Sequence, residues 1–256
     1  MTHTLDSIQK IARFRAVIEY DGSNYYGFQR QRNEFPTVQG ELERALGQLA
    51  RRPVAVTGAG RTDSGVHALG QVISFTIEWR HGIGALKRAI NTNLPGDIVV
   101  KDVEEATATF HPRYDARRRA YQYMVYNAPD RSPLRRLYSW NIQRPLDLDG
   151  MNEAAKLLVG VHDFASFGLP PQGKNTVREL FEARWRKSNE YLLFDVEANA
   201  FLYRMVRSLV GSLVNVGLQK WCVADFEGAF HACNRNRSAA AAPPQGLYLA
   251  SISYED

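Results

Sequence analysis

Phe14-Arg15-Ala16-Val17-Ile18-Glu19-Tyr20 sets Phe14, Ala16, Ile18 and Tyr20 against Arg13, Arg15 and Glu19, and then stops at Asp21-Gly22-Ser23-Asn24. A period of two is that of a strand with one face in a core, and the Asp-Gly-Ser-Asn run is a turn signal. Working outward, Val38, Leu42, Ala45, Leu46 and Leu49 recur at helical spacing behind Thr37, an N-cap residue type, so the pattern predicts an amphipathic helix over 38–50. A strand at 54–57 follows, and Ile73, Phe75 and Ile77 alternate in another. Residues 83–93 form a short helix closed before Leu94-Pro95-Gly96, and 98–103 is a last strand. The first half reads βαββαβ.

The second half repeats that order. A strand is expected at 119–127 and a helix at 148–159, with Asp147 as cap and Gly160 as stop. Strands at 177–187 and 191–198 flank Ser188-Asn189 as a hairpin. Leu202, Met205, Val206, Leu209, Leu213 and Val216 make a helical stripe, a shorter helix covers 223–232, and 247–252 is the closing strand. The fold class is therefore α+β, with two halves of one element order. The break at Phe110-His111-Pro112 divides them into 1–110 and 111–256. The small-residue stretch Ser238-Ala239-Ala240-Ala241-Ala242-Pro243-Pro244 reads as a bland connector.

Composition narrows the class without naming a function. With 256 residues, 45% hydrophobic and 23% charged, the chain can bury a sizeable core, which argues against disorder or fibres. Cys222 and Cys233 are too few for a disulfide framework or a four-ligand zinc site, which fits a reducing, cytoplasmic setting. The first six residues carry no basic, apolar leader pattern, and the most apolar stretch, 201–218, is interrupted by Arg204 and Arg207. Neither secretion nor membrane insertion is expected.

Two segments concentrate unusual chemistry. Gly58-Ala59-Gly60-Arg61-Thr62-Asp63-Ser64-Gly65-Val66-His67 lies between two expected strands and puts three glycines, an arginine, an aspartate and a histidine into one loop. Glycines there allow close approach of backbone to a ligand. An aspartate two residues from an arginine should stay ionised, ready to act as nucleophile or base, although a tight turn with a surface Arg–Asp pair would use the same residues. His67 reads as a hydrogen-bonding residue that shapes the loop, because no second histidine or cysteine stands at metal-ligand spacing; no metal is expected.

The second segment, 113–136, holds seven arginines against two aspartates, an excess equal to the whole formal net charge of +5. Arg117, Arg118 and Arg119 lead into Tyr121, Tyr123 and Tyr126. Arginines track phosphates and aromatic rings stack on unpaired bases, so an RNA-binding strand is the leading reading over a solvated edge. Alternation separates Tyr121 and Tyr123 from Tyr126, so the three tyrosines cannot all meet one ligand. Arg204 and Arg207, three apart at the start of the 202–216 helix, share one side of it.

Gly60-Arg61-Thr62-Asp63-Ser64-Gly65-Val66-His67-Ala68 resembles the active-site signature of the bacterial TruA-type tRNA pseudouridine synthases. The resemblance extends, in family order, through the segment from Glu19 to Gln31, Asn93-Leu94-Pro95-Gly96-Asp97, Phe110-His111-Pro112-Arg113-Tyr114, the Arg118 to Tyr123 strand, Ala198-Asn199-Ala200-Phe201 with Met205-Val206-Arg207, and Gly246-Leu247-Tyr248-Leu249. Phe28 stands where many members have tryptophan. The resemblance implies two RNP-like, ferredoxin-like halves around a central basic cleft, and a homodimer acting on tRNA without a cofactor. Uridines at tRNA positions 38, 39 and 40 of the anticodon arm would become pseudouridine. Asp63 matches the essential aspartate, Tyr121 the tyrosine that packs on the target uracil, Arg61 the arginine that holds the flipped-out site, and Arg207 the basic residue paired with the aspartate; Leu247 would wall the detached base. The alternatives are a non-catalytic RNA-binding or RNA-folding module using the same cleft, and a metal-dependent hydrolase using Asp63 and His67.

Overall fold

The computed structural model describes residues 10–32 and 35–255, so the stretch on which the leader reading rests lies outside the described residues. The chain divides into two compact units, Met1–Ala116 and Arg117–Asp256.

In the first unit the elements run β1 (Lys10–Tyr20), α1 (Val38–Ala50), β2 (Val56–Gly58), β3 (His67–Trp79), α2 (Ile83–Asn93) and β4 (Ile98–Ala106). The strands pair antiparallel in the order β4-β1-β3-β2. Alternation in β1 is what it promised: Phe14, Ala16, Ile18 and Tyr20 are buried, and Phe14 stacks on Phe75 of β3 with ring centroids 5.8 Å apart. Thr37 caps α1 by accepting from the Gly40 N–H, a contact worth about 1 kcal/mol. Val38, Leu42, Ala45 and Leu46 then bury one face of α1, while Leu86 and Ile90 do so for α2. β3 extends well to either side of its alternating triplet. Residues 71–75 are buried on both faces, and burial on both faces erases the period-two signal.

The second unit runs β5 (Arg118–Tyr126), β6 (Trp140–Asn141), α3 (Leu148–Lys156), β7 (Gly160–Asp163), β8 (Val177–Ser188), β9 (Tyr191–Ala198), α4 (Met205–Gly217), α5 (Val223–His231) and β10 (Leu247–Ser253). Its antiparallel order is β10-β5-β9-β8-β7, with β6 parallel to β5. Set aside β6, β7 and α5, and the second unit is again βαββαβ with its fourth, first, third and second strands side by side. Both units are thus split βαβ arrangements of the ferredoxin-like kind, as the repeated element order predicted.

Several local readings need correction. The helix expected over 148–159 ends at Lys156 with Leu157 as its cap, so Gly160 begins β7 rather than stopping a helix, and the strand expected at 54–57 is Val56–Gly58. The β8–β9 turn residues are Asn189 and Glu190, since Ser188 still pairs with Tyr191; Asn189 takes the left-handed conformation, φ 54°, that its short polar side chain tolerates. The helical stripe does not begin at Leu202: Arg204, at φ 61°, is the cap of α4, so Arg204 and Arg207 are not two residues of one helical side. The alanine-rich connector is not a slack link. Ala239 N–H donates to Ser212 Oγ (3.1 Å) and Ala242 N–H to the Arg207 carbonyl (2.9 Å), while a Cβ on Gly211 would sit 2.1 Å from the Ala240 carbonyl oxygen. β6 and β7 were not anticipated, because two and four residues are too short to display a period. Among the described residues no helix is long and apolar enough to cross a membrane.

Candidate active site

The loop between β2 and β3 closes one turn of its own, Val66 N–H to Asp63 O at 3.2 Å, and is otherwise held in place by its surroundings. Ala59 N–H donates to Val72 O at 2.8 Å, and the buried Gln71 side chain brackets Gly60 by accepting from its N–H (3.1 Å) and donating to its carbonyl (3.0 Å). Tyr20 Oη and Thr62 Oγ1 share a buried hydrogen bond of 2.8 Å. From the other side, Phe28 N–H donates to Thr62 O at 3.1 Å, and the Tyr25 carbonyl accepts from Gly65 N–H (3.3 Å) and Ser64 Oγ (3.1 Å). The 22–28 segment can come this close only because of glycines. A Cβ on Gly22 would lie 2.0 Å from Val66 O, and Gly27, at φ 96°, would put one 2.7 Å from Thr62 O. The Phe28 ring lies where a Cβ on Gly58 would be, 2.4 Å from its Cε1.

Within this cage Thr62 and Val66 are buried, Asp63 is half-buried and Arg61 is exposed. Buried His67 is the first residue of β3, and its Nδ1 accepts from the Gly22 N–H at 3.1 Å. Asp21 Oδ1 lies 3.1 Å from the same nitrogen. One nitrogen cannot serve both. The neutral tautomer with its proton on Nε2 accepts from Gly22, whereas a ring carrying a proton on Nδ1, neutral or charged, would donate to Asp21. In either state His67 ties the 21–22 turn to the end of the Asp63 loop.

Tyr25 was not singled out by residue type, yet it links the loop to a distant segment. Its hydroxyl donates to Asp97 Oδ1 at 2.6 Å, and burial, followed by that carboxylate, pushes the phenol far above its ordinary range. Asp97 belongs to the turn before β4, whose carbonyl at Asp97 also accepts from Asp21 N–H at 2.9 Å. The sequence signal for this link was that both ends, the segment from Glu19 to Gln31 and Asn93-Leu94-Pro95-Gly96-Asp97, fell among the resembling segments.

In the second unit Tyr121 and Tyr123 lie on β5, Leu247 on the neighbouring β10 and Arg207 on α4. Tyr121 is half-exposed and meets Phe201 edge-on, centroids 5.1 Å apart at 85°, whereas Tyr123 is fully buried. Leu247 sits opposite Tyr123, and Leu249 opposite Tyr121, in the β10–β5 register; Leu247 is 6% exposed. Arg207 Nε donates to the Ala242 carbonyl at 2.7 Å, and Tyr123 Oη to the Pro243 carbonyl at 2.8 Å. The connector thus clamps both side chains. Burial holds the Tyr123 phenol protonated, only partly opposed by the positive charge of Arg207. Gly246 completes the clamp, since a Cβ there would be 2.6 Å from the Tyr123 ring.

The arginine segment is less bare in three dimensions than in sequence. Arg117 is exposed, but Arg118 pairs with Glu197 at 2.9 Å and lies 4.3 Å over the Phe181 ring, while Arg119 donates to the Asn199 carbonyl. Arg135 pairs with Glu190 and stacks over Tyr126 and Tyr191 at 4.5 and 5.2 Å. Among the described residues no three His, Cys, Asp or Glu side chains converge as a metal site would require.

The sequence profile described as tRNA pseudouridine synthase matches residues 16–115 and 154–255. Among curated relatives, the tRNA pseudouridine synthase A of Pseudothermotoga lettingae is 41% identical over 244 residues, covering 94% of this chain and 99% of the relative. That of Methylacidiphilum infernorum is 41% identical over 248 residues, 95% of this chain and 96% of the relative. A solved archaeal box H/ACA sRNP Nop10–Cbf5 complex aligns at a TM-score of 0.36 and 12% identity over 79% of this chain and 44% of that one. With its sequence matched across both units and its relatives covered almost end to end, this chain belongs to the tRNA pseudouridine synthase family.

Proposed function

We propose that this protein is an isomerase that converts uridine to pseudouridine at positions 38, 39 and 40 of the tRNA anticodon arm, with Asp63 as nucleophile or base. The observation that carries the reading is the construction of the Asp63 loop: bonds from β1, β3 and the 20–28 segment fix its backbone, leaving an aspartate half-exposed at its centre. A reactive carboxylate gains from such preorganisation because no reordering is needed at the moment of reaction. The reaction breaks the N1–C1′ glycosidic bond, turns the uracil and joins C5 to C1′; the C5 proton leaves and N1 regains one, so no atom or electron is added. No cofactor is called for.

The other roles follow the chemistry of each side chain. Tyr121, standing edge-on to Phe201, offers a half-exposed ring to an extruded uracil, and such a ring offsets part of the few kcal/mol, roughly, that unstacking costs. Exposed Arg61 and the clamped Arg207 supply cations for the flipped nucleotide, Leu247 an apolar wall, and exposed Arg117 a contact to the RNA backbone, with Arg118 and Arg119 reaching it only in exchange for their bonds to Glu197 and Asn199. The protein works as a cytoplasmic homodimer on tRNA.

The test is nucleotide-resolution pseudouridine mapping on tRNA incubated with the pure protein without added metal, with Asp63→Asn alongside. Modification at positions 38 to 40 by the wild type and none by the variant is expected. Bound tRNA left unmodified by the wild type would make the protein a binding module instead; full activity in the variant would remove Asp63 from the chemistry.

A further inference from the structure

The link between β9 and α4 presents a surface that no role above uses. Tyr203 is 48% exposed, and the Arg204 guanidinium lies over its ring at 5.1 Å from the centroid. Leu169, 52% exposed, stands beside them, because Tyr203 N–H donates to its carbonyl at 2.9 Å. Gly168 makes the approach possible: a Cβ there would lie 2.4 Å from the Leu202 Cβ. Leu202 is buried and anchors the link, so the two exposed side chains next to it rest on a fixed backbone. Among the described residues no carboxylate pairs with Arg204.

The location gives this surface a ligand. Phe201, two residues before Tyr203, packs edge-on against Tyr121. A flat aromatic face, a cation already stacked on it and an apolar flank together match an unpaired nucleobase with its phosphate, the chemistry by which single-stranded RNA is generally held. A protein partner would be expected to bring a carboxylate to Arg204, whereas a polyanionic strand brings its own charge to it.

We propose that Tyr203 and Arg204, flanked by Leu169, form a stacking site for the nucleotide next to the uridine being isomerised, and so bias which of several adjacent uridines is converted. The inference rests on the reading that Tyr121 packs on the target uracil.

The experiment uses stem-loop RNA carrying 2-aminopurine one nucleotide to either side of the target, bound to full-length Asp63→Asn protein so that no turnover intervenes. Quenching of one label is expected. Adding Tyr203→Ala should abolish that quench and weaken binding by about 10-fold, while Tyr203→Phe should restore both. In the active protein, Tyr203→Ala should raise KM with little change in kcat and redistribute pseudouridine among neighbouring uridines. Unchanged quench and affinity in a Tyr203→Ala protein of wild-type thermal midpoint would overturn the proposal, as would a change in sedimentation without a change in RNA binding, which would mark a protein contact. A wild-type protein that forms no pseudouridine would instead sink the underlying reading, and that outcome is seen separately.

Discussion

The two units share a strand order but treat one connection in opposite ways. Between their second and third strands the first unit inserts residues 59–66, while the second turns back through Asn189 and Glu190 alone. The short turn needs one left-handed asparagine. The long one needs Tyr20, Tyr25, Phe28, Gln71 and Val72, spread over two strands and a loop, to hold it. The repeated scaffold therefore says little about function by itself, since the glycine-rich loop with Asp63 occupies this connection in one unit and not in the other.

The largest difference in effect is expected between the two turns. Asp63→Asn should lower pseudouridine formation by at least about 10³-fold, measured on tRNA by nucleotide-resolution mapping, whereas Asn189→Ala should leave the rate near wild type. A next, smaller effect separates the cage from the turn in stability. Gly22→Ala forces a Cβ against Val66 O and should cost about 1–3 kcal/mol in denaturant unfolding, with activity falling alongside. Asn189→Gly should stay within about 0.5 kcal/mol of wild type.

Further out from the loop, Tyr25→Phe removes the hydroxyl that reaches Asp97 and should cost about 1 kcal/mol, with a few-fold drop in kcat if the link positions the loop. Unchanged kinetics with lowered stability would confine Tyr25 to a structural part. The smallest effect belongs to the short turn. The hydrogen bond from Arg135 holds the Glu190 carboxyl below its ordinary value. A depressed carboxyl stabilises the fold above its unfolded pKa, and that contribution is lost as pH falls through the folded value. The stability gap between wild type and Glu190→Gln should therefore be small at neutral pH and close in acid; a gap that widened in acid would contradict the pairing.

Much of the fold was legible because its signals are local. β1 alternates, α1 has a capping threonine and a clean apolar face, and α2 runs over 83–93 as the pattern indicated. β3 was longer than its signal because burial on both faces leaves no alternation to read. The Asp63 loop stood out by its glycines and charges. Its supports did not: Gln71 and Tyr25 are ordinary residue types, and their meaning lies in which backbone atoms they reach. The connector 238–244 misled for the same reason, since alanines and prolines carry no side-chain chemistry, and it is their carbonyls that hold Arg207 and Tyr123.

The charge of the chain marks the division most clearly. By itself the sequence determined that the positive excess equals that of one arginine-rich segment, because charge and order are properties of the chain. Only the tertiary structure decided which of those arginines keep their charge for a ligand. Glu197 and Glu190, 79 and 55 residues beyond Arg118 and Arg135, return to them on β9 and at the turn before it, and the hydrogen-bonded register that brings them there is a long-range contact with no local trace. Pairing across that distance is what turns a count of charges into a site.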